Sequence, residues 1–384
     1  MLREGAMDSR RRCCISTRRT PLIAGVLGLV FLIPNGIPAQ ETRSTAAHES
    51  PAPASEDSGS ERFFRLGVAA MRRNNLAEAQ DAFERSLELD SRAARTHFQL
   101  AQVLALQGQI EAALGPLNAC LELTPEDPQA HILRSVVLAG LDRLEVAAAA
   151  ANRAIDLDPT EPRYRHQLGV VLRSRKQYQE AAAAFAEAER LDPDNDIFAF
   201  EAGVTYFNQQ QYDGALSAFR RTEKLRPRWS ELQIYIGSCH RARGEWRAAE
   251  VAFAAALRLE PGNAYAHFGL GAVALARGEL EQAEQHLQKA VRLEPNHSQI
   301  RYRLGQLRLL QDRIQEAAAS LERAVALQPF FPKAHYNLAL VYHRLGRPDA
   351  AQRESDLYLS QAASDESGLY SEKYFKFSVA QDDE

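Results

Sequence analysis

At 384 residues, with 45% hydrophobic and 25% charged side chains, the chain carries enough apolar surface for a large core, which excludes global disorder. Its formal charge of −4, with arginines and lysines dispersed along the chain, offers no basic stripe for a phosphate backbone. Nucleic acid is therefore not an expected partner.

The chain opens on an arginine-bearing stretch (Arg10, Arg11, Arg12, Arg18, Arg19) that runs into twelve apolar residues from Leu22 to Ile33. This order reads as an export signal over residues 1–39, with cleavage expected after Ala39 in Ile37-Pro38-Ala39. Twelve apolar residues fall short of the roughly twenty that cross a bilayer, so the competing reading as an uncleaved anchor is disfavoured, and no membrane span is expected in the mature chain. Cys13 and Cys14 would leave with the leader, and Cys120 and Cys239 stand too far apart to suggest a disulfide framework or a metal knuckle. Both are expected to be small apolar fillers. The mature product would carry a charge of −8 and be periplasmic or extracellular.

Residues 40–59 shift to Thr, Ser, Ala, Glu and Pro, including Ser50-Pro51-Ala52-Pro53, with no large apolar side chain. Such a segment cannot bury enough surface to offset the entropy of ordering it, and it reads as a disordered tether.

From Ser60 onward the sequence repeats every 34 residues without insertion, so nine units occupy residues 60–365. The twentieth position is alanine in all nine, from Ala79 and Ala113 to Ala351, and the eighth is always small, for example Gly67, Ala101, Ser135 and Gly169. Leucine recurs at the thirtieth position (Leu89 to Leu327), and prolines from Pro125 to Pro329 close seven units. Within a unit, Leu168, Gly169 and Leu172 fall at helical spacing, then a break, then Tyr178, Ala181, Phe185 and Ala188 do so again. The break carries Gly108, Gly244, Gly278 and Gly346, or Asn74, Asp142 and Asp312, all tolerant of the left-handed turn that ends a helix. The pattern predicts two helices per unit, and a lone pair leaves an apolar face that only stacking can bury.

These residues resemble the tetratricopeptide repeat. Leu168-Gly169, Ala181, Phe185, Ala188 and Pro193 in the fourth unit, and Gly237, Ala249, Phe253, Ala256 and Pro261 in the sixth, meet the family pattern almost completely. The resemblance implies an all-α solenoid, a right-handed superhelix of antiparallel helix pairs whose first helices line a concave groove. The third unit departs from the pattern with Arg134 and Ala151 at the two filler positions, and is expected to be the softest joint.

No zinc-protease, phosphate-loop or nucleophile-elbow motif interrupts the repeat, so neither an enzyme nor a cofactor or metal site is expected. His97, His131, His267 and His335 share the fourth position, a set open to reading as a metal or pH ladder, but packed imidazoles are the better expectation. Position five lies about 100° further round the helix and should face the groove. It reads Phe64, Phe98, Ile132, His166, Phe200, Ile234, Phe268, Tyr302 and Tyr336, and Phe207 with the cations Arg173 and Arg241 lies on the same stripe. These residues form the candidate partner-binding groove, with packing between neighbouring helices as the competing reading. The family's clamp for a chaperone carboxylate is not met, since Asn337 is an isolated match.

The sequence thus points to a non-enzymatic interaction scaffold of the bacterial cell envelope that binds a protein or peptide. The alternatives are an accessory subunit of an envelope enzyme or surface-polymer assembly system, and a self-associating structural protein. In residues 366–384, Leu369, Tyr370 and Tyr374 share a helical face and are expected to cap the ninth unit, whereas Tyr374 to Val379 offers an alternative occupant of the groove.

Overall fold

The computed structural model describes residues 59–363, and every described element is a helix. The signal, nearly all of the tether and the expected cap lie outside the described residues; Gly59, assigned to the tether, opens the first helix. The chain divides into two compact units, Met1–Gln209 and Gln210–Glu384. In the first, α1 (Gly59–Arg72) to α8 form four helix hairpins: α2 (Leu76–Leu89), α3 (Ala94–Leu106), α4 (Leu114–Leu123), α5 (Pro128–Gly140), α6 (Leu144–Leu157), α7 (Pro162–Ser174) and α8 (Tyr178–Leu191). A ninth helix, α9 (Asp196–Asn208), packs on α8.

In the second unit α10 (Tyr212–Leu225) packs on α11 (Ser230–Ala242). Four hairpins follow from α11: α12 (Trp246–Leu259), α13 (Ala264–Ala276), α14 (Leu280–Leu293), α15 (Ser298–Leu310), α16 (Ile314–Leu327), α17 (Pro332–Arg344) and α18 (Pro348–Ala363). No described helix is long and apolar enough to cross a membrane.

The turns repeat as strictly as the helices. Nine residues spaced by 34 take a left-handed backbone: Asn74, Gly108, Asp142, Lys176, Gln210, Gly244, Gly278, Asp312 and Gly346. At eight of the nine the next amide donates back to the carbonyl five residues earlier, as in Asn75 to Ala70 and Gln177 to Leu172, both 2.9 Å. This satisfies carbonyls that a helix end leaves open. Sequence reading missed Lys176 and Gln210, whose φ angles are 62° and 61°, because their side chains give no local reward for that conformation. Lys176→Gly is expected to stabilise the first unit by about 0.5–1 kcal/mol, read as a rise in the urea midpoint. An unchanged or lower midpoint would contradict the strain.

One turn departs from the frame. Residues 110–113 form turns and α4 starts late, at Leu114. Pro116 is the cause, because proline is tolerated only in a helix's first turn, where its missing N–H is not needed.

The core of each hairpin is a matched pair at positions eight and twenty-four. A Cβ on Gly169 would stand 2.7 Å from the Phe185 ring, and one on Gly271 would stand 2.7 Å from Leu287. At these positions glycine is therefore required by the bulky opposing filler, whereas the second repeat accommodates Ala101 opposite Leu117. Where the filler is alanine, as at Ala151, the eighth residue grows to Ser135, and Gln167 donates to its hydroxyl at 3.4 Å. The third repeat thus offsets its lost filler, and its remaining weakness is the buried Arg134 Nε, which has no hydrogen-bond partner. Cys120 and Cys239 are buried free thiols, and burial pushes Cys239 up to about 12.

Candidate partner-binding face on the first helices

The odd-numbered helices α1 to α9 of the first unit carry the first half of the position-five row. Phe64, Phe98, Ile132, His166 and Phe200 are all buried, none more than 9% exposed. Phe207 on α9 is half-buried. These rings fill space between neighbouring helices, as Phe64 does against Phe83 with centroids 5.8 Å apart. His166 is inserted between Phe185 at 5.5 Å and Phe198 at 5.4 Å. Burial holds its pKa down to about 4, and its Nε2 has no partner, so it sits in the core as a neutral ring.

Arg173, expected to line the groove as a cation, is neutralised. Its guanidinium pairs with Glu201 of α9 and lies 5.5 Å over the Phe185 ring. The first unit therefore presents little free charge from this stripe.

The second unit differs. Tyr302 is buried against Phe331 with centroids 4.9 Å apart, but Ile234, Phe268 and Tyr336 are half-buried and retain surface for a contact. Arg241 at the end of α11 is also half-buried, and desolvation followed by the charge of Arg303 lowers its pKa. Arg303 on α15 donates from Nη1 to Gln306 Oε1 at 2.9 Å and lies 5.7 Å over the Tyr302 ring. The Tyr302 hydroxyl accepts from Gln306 Nε2 at 2.9 Å and from Asn337 Nδ2 at 3.4 Å. Lys333 on α17 is a third cation, lowered by desolvation and then by Arg303.

Among the described residues, no carboxylate pairs with Arg241 or Arg303. Several other arginines of this unit are paired, Arg313 with Glu284 and Glu316, Arg277 with Glu250 and Glu279, Arg344 with Asp312. Sequence reading named Arg241 but missed Arg303 and Lys333. They stand at positions six and two of the eighth and ninth repeats, off the position-five row, where the family's clamp pattern is not met as a set.

The histidine set serves the turns. His97, His131, His267 and His335 each place Nε2 on the carbonyl six residues back, at 2.9, 2.9, 3.3 and 2.9 Å respectively. A carbonyl only accepts, so Nε2 carries the hydrogen and each ring staples a helix to its preceding loop.

Tetratricopeptide repeat family models match residues 64–128, 107–162 and 166–228 in the first part of the chain. Further models described as tetratricopeptide or TPR repeats match 240–307, 274–326, 307–346 and 332–363. Comparison with curated proteins yields no match. Among solved structures, a tetratricopeptide repeat protein from Parabacteroides merdae is 16% identical, with a TM-score of 0.52 over 64% of this chain and 97% of that one. A chain of the APC/C hetero-tetramer Cut9–Hcn1 is 18% identical, with a TM-score of 0.53 over 82% of this chain and 62% of that one. YrrB, titled a TPR protein with an unusual peptide-binding site, is 26% identical, with a TM-score of 0.41 over 48% of this chain and 95% of that one. With stacked hairpins, the required glycines opposite bulky fillers, and family matches along both units, this chain belongs to the tetratricopeptide repeat family.

Proposed function

We propose that this protein is a non-enzymatic interaction scaffold of the bacterial cell envelope that binds a peptide segment along the first helices of its second unit. Protein-protein interaction is what tetratricopeptide repeats support; the peptide, the face and the compartment are the further reading. The observation that carries it is the half-exposed apolar set Ile234, Phe268 and Tyr336 beside Arg241 and Arg303, two guanidiniums without carboxylates among the described residues. Aromatic and arginine side chains are the usual energetic anchors of an interface. An extended segment or helix with aliphatic and acidic side chains would satisfy both features. The compartment rests on the arginine-rich and apolar leader.

The test uses peptides selected by display on the full mature chain recovered from an envelope fraction, where its N-terminus is expected near Gln40. Phe268→Ser is expected to weaken a selected peptide at least tenfold while far-UV circular dichroism stays unchanged. Equal affinity in the variant, collapse of its helicity, or an intact leader on soluble cytoplasmic protein would each contradict the corresponding part of the proposal.

A further inference from the structure

Arg241, Arg303 and Lys333 stand on α11, α15 and α17, and successive first helices in this unit pack on one another, α11 on α13, α13 on α15 and α15 on α17. Arg303 is the hub, because its charge acts on both of the others. It is also held in place: one guanidinium N–H reaches Gln306, and the ring beneath it is fixed by bonds from Gln306 and Asn337 to the Tyr302 hydroxyl. A guanidinium has five N–H donors, so a positioned Arg303 with one side-chain bond keeps donors to offer. Like charges gathered in partly desolvated surroundings repel, and an anion placed among them relieves that repulsion.

The chain itself carries such an anion. Residues 364–384 contain six carboxylates against Lys373 and Lys376, and three of the six are consecutive, Asp382, Asp383 and Glu384. Just before them come the aromatic residues Tyr374, Phe375 and Phe377, suited to the half-exposed Phe268 and Tyr336. The reach is sufficient. The nineteen residues from Ala363 to Asp382 span up to about 60 Å when extended. The last hairpin pairs α18 with α17, and α15 is the neighbouring first helix, roughly 10 Å on. Tethering also gives an acidic segment of the same chain an effective concentration on the order of millimolar, which an untethered competitor must match.

We propose that Asp382, Asp383 and Glu384 of the same chain dock on Arg241 and Arg303 beside Lys333, so that this face is occupied in cis and an acidic partner binds by displacing them. The inference rests on the reading of the second unit's first helices as the binding face, and names the chemistry that face selects.

The test is zero-length carbodiimide coupling on the full mature chain, which joins an amine only to a carboxylate in direct contact. Lys333 is expected to couple to the peptide bearing Asp382, Asp383 and Glu384 within monomeric protein. The yield should fall at least fivefold in Arg241→Gln/Arg303→Gln protein of unchanged circular dichroism. The variant Asp382→Asn/Asp383→Asn/Glu384→Gln should lose the link and bind a selected acidic peptide about tenfold more tightly. No link, a link found only in covalent dimers, or a yield indifferent to both arginines would overturn the proposal. Failure of the link while selected peptides still bind the first helices removes only the cis occupant. A link with no peptide binding at all removes the scaffold reading instead.

Discussion

Phe253→Ala is expected to cost about 3–5 kcal/mol of unfolding free energy, the range for emptying a buried phenylalanine site. Its ring is 1% exposed and is gripped from two helices at once. A Cβ on Gly237 of α11 would stand 2.9 Å from it, and one on Gly269 of α13 only 2.5 Å. One side chain therefore closes its own hairpin and joins it to the next, so its loss removes an intrarepeat and an interrepeat contact together. Chemical denaturation with circular dichroism measures the cost, and a loss under 1 kcal/mol would mean the site collapses freely. The third repeat supplies a second arm, since it balances Ala151 with Ser135. Gly237→Ser should be strongly destabilising alone, yet its penalty should shrink when combined with Phe253→Ala. Additive penalties would contradict the matched-pair account.

His166→Phe is expected to make the protein less sensitive to acid. The folded pKa of about 4 lies below the ordinary value of 6.5, so the unfolded chain takes up the proton first as pH falls. Stability contributed by the neutral ring is complete above pH 6.5 and is lost between about 6.5 and 4, amounting to about 2 kcal/mol at pH 5. Glu201 pulls this pKa up and Arg173 pushes it down, but desolvation dominates both. A phenylalanine between Phe185 and Phe198 has no proton to take up and no unsatisfied Nε2. The comparison is the slope of unfolding free energy between pH 7.5 and 5. It should flatten without vanishing, because burial lowers the pKa values of His267 and His286 as well. An unchanged slope would place the acid sensitivity elsewhere.

The period of 34 made the fold legible, because each structural demand recurs at a fixed position. Ala79, Ala113 and their equivalents as far as Ala317 are buried where two helix axes approach, and the glycines at position eight face bulky fillers. What escaped the sequence were features set by pairs distant in the chain. Ala151 alone suggests a weak joint, and only its opposition to Ser135 reveals the compensation. Arg173 alone suggests a groove cation, and only Glu201, 28 residues on, shows the charge to be neutralised. The position-five row posed a further difficulty. An aromatic there gains from packing between neighbouring first helices and from touching a partner, and both uses select the same residue types. Burial separates them, assigning Phe64, Phe98, Ile132, His166, Phe200 and Tyr302 to packing and leaving Ile234, Phe268 and Tyr336 with surface to offer. Lys176 and Gln210 show the remaining limit, since backbone demands met by unsuited side chains leave no mark in composition.

The central claim is that partners bind the first helices of the second unit. Hydrogen–deuterium exchange on the full mature chain, with and without a display-selected peptide, tests it most directly. Added protection is predicted in α11, α13, α15 and α17, around Arg241, Phe268, Arg303 and Tyr336, with α12, α14 and α16 unchanged. Protection confined to those second helices, or to the first unit, would contradict the account.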